Sequence, residues 1–307
     1  MDQLSTAELK LGKIGYLNVL PLYYPLESGV IPHPFRIISG APAHLNQLMA
    51  AGELDLSVVS SIEYARHHER YYILPDLSIS CCGAVKSVLL FSRVPIGEID
   101  GSEVLVSTQS HTSIALLKIL CAFHLRLRVA FKPANCTEVL AHGKPPRAFL
   151  AIGDEALRLQ RCSLYPHRLD LGEAWHAWTG LPFVFALWVI QRQTVERWNG
   201  SLQAAIEMLW AAKHWGAAHS RIICGEAVRK GLLSSSELEE YYLGLNFDLN
   251  SRQQEGLRLF YSYLAKAGEI SSAPQLEIYS PFAGAAPSID FPAGGWLTPH
   301  PAGLQVT

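Results

Sequence analysis

The chain has 307 residues, 49% of them apolar and 17% charged, enough for one large or two ordinary domains with sizeable cores. Twenty-five Lys and Arg against 27 Asp and Glu leave a formal net charge of −2, with no basic excess to meet a phosphate backbone, so no nucleic-acid partner is expected. No apolar run approaches the ~18 residues of a membrane helix, and the opening MDQLSTAELKLG lacks a basic stretch followed by an apolar one; the expectation is a cytoplasmic chain with no membrane association.

In chain order, 9–16 reads as a strand and 21–27 as a short helix. Phe35 to Ile38 is a second strand, and Pro42 and Gly52 bracket a helix. LDLSVV is a third strand, followed by a helix in which Ser60 and Glu63 have the spacing of a capping box. Residues 71–93 give two extended runs. A second block follows: strand EVLVS, the hydroxyl-rich TQSHTS, a buried helix over 114–123, strand VAFKP, a helix capped by Asn135, and strand AFLAI leading through Gly153-Asp154 into a helix. EAWHAWTG reads as helix and LPFVFALWVI as a buried strand, with Trp175 and Trp178 as core or junction aromatics. Helices then occupy 194–216, 220–230, 235–243 and 251–266, and the Pro, Gly and Ala-rich tail from 271 is expected to be irregular. The six cysteines form no CxxC pair and read as free thiols.

Alternating strands and helices predict an α/β protein with mostly parallel sheets. The final helices have no sheet of their own and must return to an earlier one. The expected architecture is a two-lobed clam-shell with a ligand cleft between the lobes and two chain crossings, near 91–94 and 188–191. Residues 1–92 with 192–270 would form lobe I, 93–191 lobe II, and 271–307 the tail.

Ligands of open parallel sheets sit beyond the carboxyl ends of the strands. The residues there are Asn18, Ser60, Ser61, the 107–113 run with Ser110, Thr112 and Ser113, and Gly153-Asp154. Most adjoin helix N-termini, whose unpaired N–H groups suit a carboxylate or phosphate. Ser60 and Asp154 serve equally well as helix caps. Asn18, three positions before Pro21, is the hardest to explain as a cap. His111 lies in the hydroxyl run without a visible partner, and His67-His68-Glu69 reads as a solvated helix end rather than a metal site. No metal-binding, dinucleotide or nucleotide motif occurs.

The segments GYLNVLPL, GELDLSVVSSIEYA, GAVKSVLLFS, STQSHTS, AIGDEAL and DLGEAWHAWTGLPFVFALW, taken in order, are similar to the chorismate dehydratases of the futalosine route to menaquinone. The resemblance spans about 11–192. It implies a fold like type II periplasmic binding proteins, a dicarboxylate substrate, and a hydro-lyase needing no cofactor or metal. It also implies catalytic roles for Asn18 and Ser87, with Ser60, Ser61, Ser110, Thr112, Ser113, Gly153 and Asp154 binding substrate. The base would be the substrate's own enolpyruvyl carboxylate, and Lys86, beside Ser87, is expected to face away from the site. Two alternatives stay open: a small-carboxylate binding protein without turnover, and the sister 1,4-dihydroxy-6-naphthoate synthase, whose proline-rich opening is not found here. The sequence leaves room for a homodimer.

Overall fold

Leu9–Ile14 forms β1, its buried Leu9, Leu11 and Ile14 interleaved with half-buried Lys10 and Lys13. The computed structural model of the chain describes residues 8–107, 111–135, 138–140, 144–198 and 202–280. A tight turn at Leu17–Val19 leads into helix α1, Leu20–Glu27. Strand β2 (Phe35–Gly40), helix α2 (Pro42–Ala50, with Pro42 at its first position), strand β3 (Leu56–Ser60), helix α3 (Ser61–His67) and strand β4 (Tyr71–Cys81) follow.

The chain then enters a second sheet with β5 (Val88–Ser92) and β6 (Glu103–Val106). Helix α4 (His111–Ile119) runs into a π-helical turn at Leu120–Leu125. Strand β7 (Ala130–Pro133), strand β8 (Ala148–Ile152), helix α5 (Gly153–Leu159), strand β9 (His167–Asp170) and helix α6 (Leu171–Thr179) complete this lobe. Strand β10 (Phe183–Gln191) returns to the first sheet. Helices α7 (Arg192–Arg197), α8 (Leu202–Ala218), α9 (Ser220–Val228), α10 (Ser235–Gly244) and α11 (Ser251–Lys266) close the fold. The single helix expected over 194–216 is therefore divided between α7 and α8. Among the described residues no helix is long and apolar enough to cross a membrane.

The strand orders are β2-β1-β3-β10-β4 and β7-β6-β8-β5-β9. Each sheet has the same irregularity. β10 lies antiparallel between β3 and β4, and β5 lies antiparallel between β8 and β9. In each case the antiparallel strand is the one that arrives from the other sheet. Each is apolar but for its last residue (VLLFS and FVFALWVIQ), because a central strand of a sheet packed on both faces is buried on both faces. This strand membership shifts the expected lobe boundaries. The chain changes sheet within 82–87 rather than near 91–94, and back within 180–182 rather than near 188–191, since β5 pairs in the second sheet and β10 in the first. Long-range pairing decides this, and an apolar run does not reveal which sheet will receive it.

One continuous core runs through the first sheet and one face of the second. A smaller cluster of Leu89, Phe91, Leu105, Phe149 and Tyr165 covers the other face of the second sheet. Trp175 on α6 is buried, donating through Nε1 to Pro182 O at 3.3 Å, and Trp178 packs 4.7 Å from Tyr263 of α11, so both tryptophans join the lobes. The described start of the tail is anchored. Tyr279 N donates to Ile73 O at 2.8 Å, Ile73 N donates to Glu277 O at 2.8 Å, and Tyr64 OH donates to Gln275 O at 3.0 Å. An extended segment along β4 satisfies that strand's free edge, which composition alone did not suggest.

Candidate active site

Four helix starts converge where the two lobes face each other. Pro42 and Ala43 open α2, Ser60 is the N-cap of α3, His111, Thr112 and Ser113 open α4, and Gly153 opens α5. All border one cavity, whose space with the open solvent of its mouth included is about 850 Å³. Much of the remaining lining is apolar, with Ile79, Val85, Val88, Ile152, Phe185 and Leu245. Asn18, Ser87, Tyr16 and Asn46 supply the remaining polar lining. Among the described residues the lining has no Lys, Arg, Asp or Glu, and only His111 and Tyr16 of the His, Cys and Tyr class. Burial, with Asp154 and Glu155 nearby, pushes the Tyr16 phenol up to about 12, so it stays neutral at any working pH.

Two polar atoms here are buried without a hydrogen-bond partner: Asn18 Oδ1 and Ser60 Oγ. Buried groups of this kind are costly unless satisfied, and at a cavity wall a water or a ligand can supply the bond. Ser60 does not form the capping box its spacing with Glu63 suggests. Glu63 instead accepts from Asn46 Nδ2 at 3.4 Å and faces His67 at 3.8 Å, and its burial raises its pKa. The serine hydroxyl is left facing the cavity.

Ser87 is 3% exposed, and its Oγ accepts from Tyr241 OH at 3.3 Å. The serine hydroxyl itself donates to Val85 O at 3.4 Å, a long bond at the limit of the hydrogen-bond range. Ser87 O also accepts from Gly153 N at 2.7 Å, tying α5 to the crossing segment. Gly153 has φ +55, and a Cβ there would come 3.0 Å from the Tyr16 ring, so a side chain would be both strained and crowded.

The other candidates are placed differently. Ser61 is fully buried and does not line the cavity; its hydroxyl lies 3.4 Å from that of Thr112, which also accepts from Ile62 N at 3.1 Å. Thr112 thus borders the cavity while completing α3 from the other lobe. Asp154 also lies off the inner cavity. Its Oδ1 accepts from Leu17 N at 3.0 Å, and it borders an outer groove with Ser39, Ser107, Asn135 and Arg158 that shares Tyr16, Pro42 and Ile152 with the cavity. Ser110 lies outside the described residues. Lys86 faces away, pairing with Glu240 at 2.9 Å, though not through strand alternation: it sits in a turn with φ 60, held by Asp170, which accepts from Val85 N and Lys86 N at 3.1 and 2.7 Å. Tyr16, Asn46, Phe185, Leu245 and Tyr241 escaped the sequence reading. Only Tyr16, inside GYLN, carried any signal there.

Two α/β lobes exchanging one antiparallel strand each, around a cleft of helix N-termini, define the periplasmic-binding-protein fold. Solved structures agree. A Candida albicans protein described as having the generic periplasmic binding protein fold aligns with a TM-score of 0.64 and 11% identity, over 88% of this chain and 93% of its own. The alkanesulfonate-binding protein SsuA from Xanthomonas axonopodis pv. citri, bound to MOPS, gives 0.64 and 12% over 89% and 96%.

The sequence narrows this class further. Residues 9–266 match the model of the family described as menaquinone biosynthesis, and the chain belongs to that family. It is 30% identical over 266 residues to chorismate dehydratase of Thermus thermophilus, covering 81% of this chain and 93% of that protein. Against chorismate dehydratase of Campylobacter jejuni it is 32% identical over 179 residues, 57% of this chain and 64% of that one.

Proposed function

We propose that this chain is a hydro-lyase that converts chorismate to 3-[(1-carboxyvinyl)oxy]benzoate and water. The observation that carries the reading is the charge-free cleft, in which helix starts from both lobes converge beside the unpartnered Asn18 Oδ1 and Ser60 Oγ. The substrate has two carboxylates, a ring hydroxyl and a flat apolar ring. Helix N-termini and hydroxyls receive the carboxylates. The apolar lining receives the ring.

In the reaction the ring hydroxyl leaves, the proton on the neighbouring ether-bearing carbon is removed, and the ring becomes aromatic. No electrons are exchanged with a second reagent. The base we assign is the substrate's enolpyruvyl carboxylate, which lies close to that proton. A lysine in the cleft would pair with this carboxylate and weaken it; Lys86 is engaged with Glu240 instead. Asn18 bonds the departing hydroxyl and Ser87 orients a carboxylate, so the protein contributes positioning and hydrogen bonds to developing charge. The form proposed is a cytoplasmic enzyme, alone or as a homodimer.

The test is to incubate the purified chain with chorismate and follow products by chromatography with mass detection. The expected product is lighter by one water and has an aromatic ultraviolet spectrum, formed well above the no-enzyme control. Unchanged chorismate with a folded protein would overturn the reading in favour of a carboxylate-binding protein.

A further inference from the structure

We infer that Asp154 is a positioning residue that makes closure of the two lobes aim Asn18; the inference rests on the proposed role of Asn18. The short turn carrying Asn18 has two backbone bonds of its own, a long one from Val19 N to Tyr16 O at 3.5 Å and one from Leu20 N to Leu17 O, and no side-chain cap. It is also held from outside. Tyr242 OH donates to Leu17 O at 3.0 Å, and Lys230 Nζ donates to Gly15 O at 3.1 Å. Both of these groups belong to the helical part that packs on the first lobe.

Asp154 reaches the same turn from the second lobe. Its Oδ1 accepts from Leu17 N at 3.0 Å, the residue immediately before Asn18, and its Oδ2 lies 3.6 Å from Lys230 Nζ. One residue earlier, Gly153 provides the side-chain-free seat against which the Tyr16 ring lies. Gly153 and Asp154 together therefore dock on two consecutive residues, Tyr16 and Leu17, immediately before Asn18. An aspartate in the first turn of a helix would ordinarily serve its own helix, but α5 has no side-chain N-cap bond, and this carboxylate is directed across the cleft. When the lobes part, the Leu17 N–H loses its acceptor and the turn loses its second-lobe seat. When they close on a substrate, both return and the Asn18 amide is fixed. A negative charge placed off the inner cavity does this without repelling a dianionic ligand.

The experiment uses the full chain with Asp154→Ala and Asp154→Asn. Amide exchange at Leu17 is followed by mass spectrometry, with kcat and KM for chorismate measured in parallel. For Asp154→Ala we expect Leu17 exchange and kcat to worsen by about tenfold or more while KM moves less than about threefold. Asp154→Asn, which keeps an acceptor oxygen, should recover most of both. Asp154→Ser, too short to reach Leu17, replaces the alanine variant if that one does not fold. Unchanged Leu17 exchange or undiminished kcat in Asp154→Ala overturns the inference, as does an asparagine variant as impaired as the alanine one. Exchange at Leu17 reads the contact whatever the cleft turns over, so a wild-type chain inert toward chorismate would refute the proposed reaction without deciding this one.

Discussion

Asn18 Oδ1 makes no bond within the protein, so its removal and its loss of function separate cleanly. Asn18→Ala should cost less than about 1 kcal/mol of stability, because no internal hydrogen bond is lost. The same change should lower kcat by about 10²–10³-fold, the usual loss when one preorganised donor to developing charge is removed. Parallel urea melts and turnover assays check this. Equal, small effects on both would take Asn18 out of the reaction. At this scale the sequence was informative where a polar residue interrupted an otherwise regular signal. Asn18 in an apolar run and the hydroxyls before α4 were visible for that reason. Ser60 and Glu63 show the limit: their spacing matches a cap, yet Glu63 turns to His67, four residues on along its own helix, and to Asn46, which only the folded chain brings near. Asn46 and Phe185 were invisible because which face of a helix or strand meets the cleft depends on lobe packing.

The elements hold the Asn18 turn by close packing as well as by hydrogen bonds. Helix α8 crosses α1 so closely that a Cβ on Gly216 would lie 2.0 Å from Pro21 O. Backbone cannot yield as a flexible side chain would, and the two helices must separate. Gly216→Ala should therefore destabilise the chain by about 1–3 kcal/mol, the range for overpacking. It should also lower turnover, since Pro21 lies three residues beyond Asn18. Chemical denaturation and kinetics of the variant measure both, and a neutral Gly216→Ala would mean that the helices are free to separate without cost. Most elements were readable from periodicity, with Pro42 and the Asn135 cap in their expected roles; Glu138 N donates to Asn135 Oδ1 at 3.3 Å. The strands β5 and β10 were recognisable as strands but not as the exchanged ones. Their sheet depends on partners as far away in sequence as Leu56 is from Ile190.

At the scale of the molecule, closure of the lobes uses two kinds of contact. Surface ion pairs bridge them, Lys118 to Glu269 at 2.6 Å and Arg161 to Glu237 at 2.5 Å, but exposed pairs are each worth only about 0–1 kcal/mol. The more sheltered bonds, Thr112 to Ile62 N, which is buried, and Asp154 to Leu17 N, which is part-buried, are better placed to couple closure to the site, because each ends at a residue adjoining or lining the cavity. The two-lobed plan was legible from the return of the helical section to an earlier sheet, while the places of crossing were not. On the proposed mechanism the cleft offers shape and neutral donors, and the substrate's own carboxylate takes the proton. The pH dependence of kcat tests this most directly. A carboxylate base titrates near pH 4, so kcat should stay flat from about pH 6 to 8.5. A kcat that falls tenfold per unit below about pH 6.5 would contradict it and place the base on a protein side chain instead of the substrate.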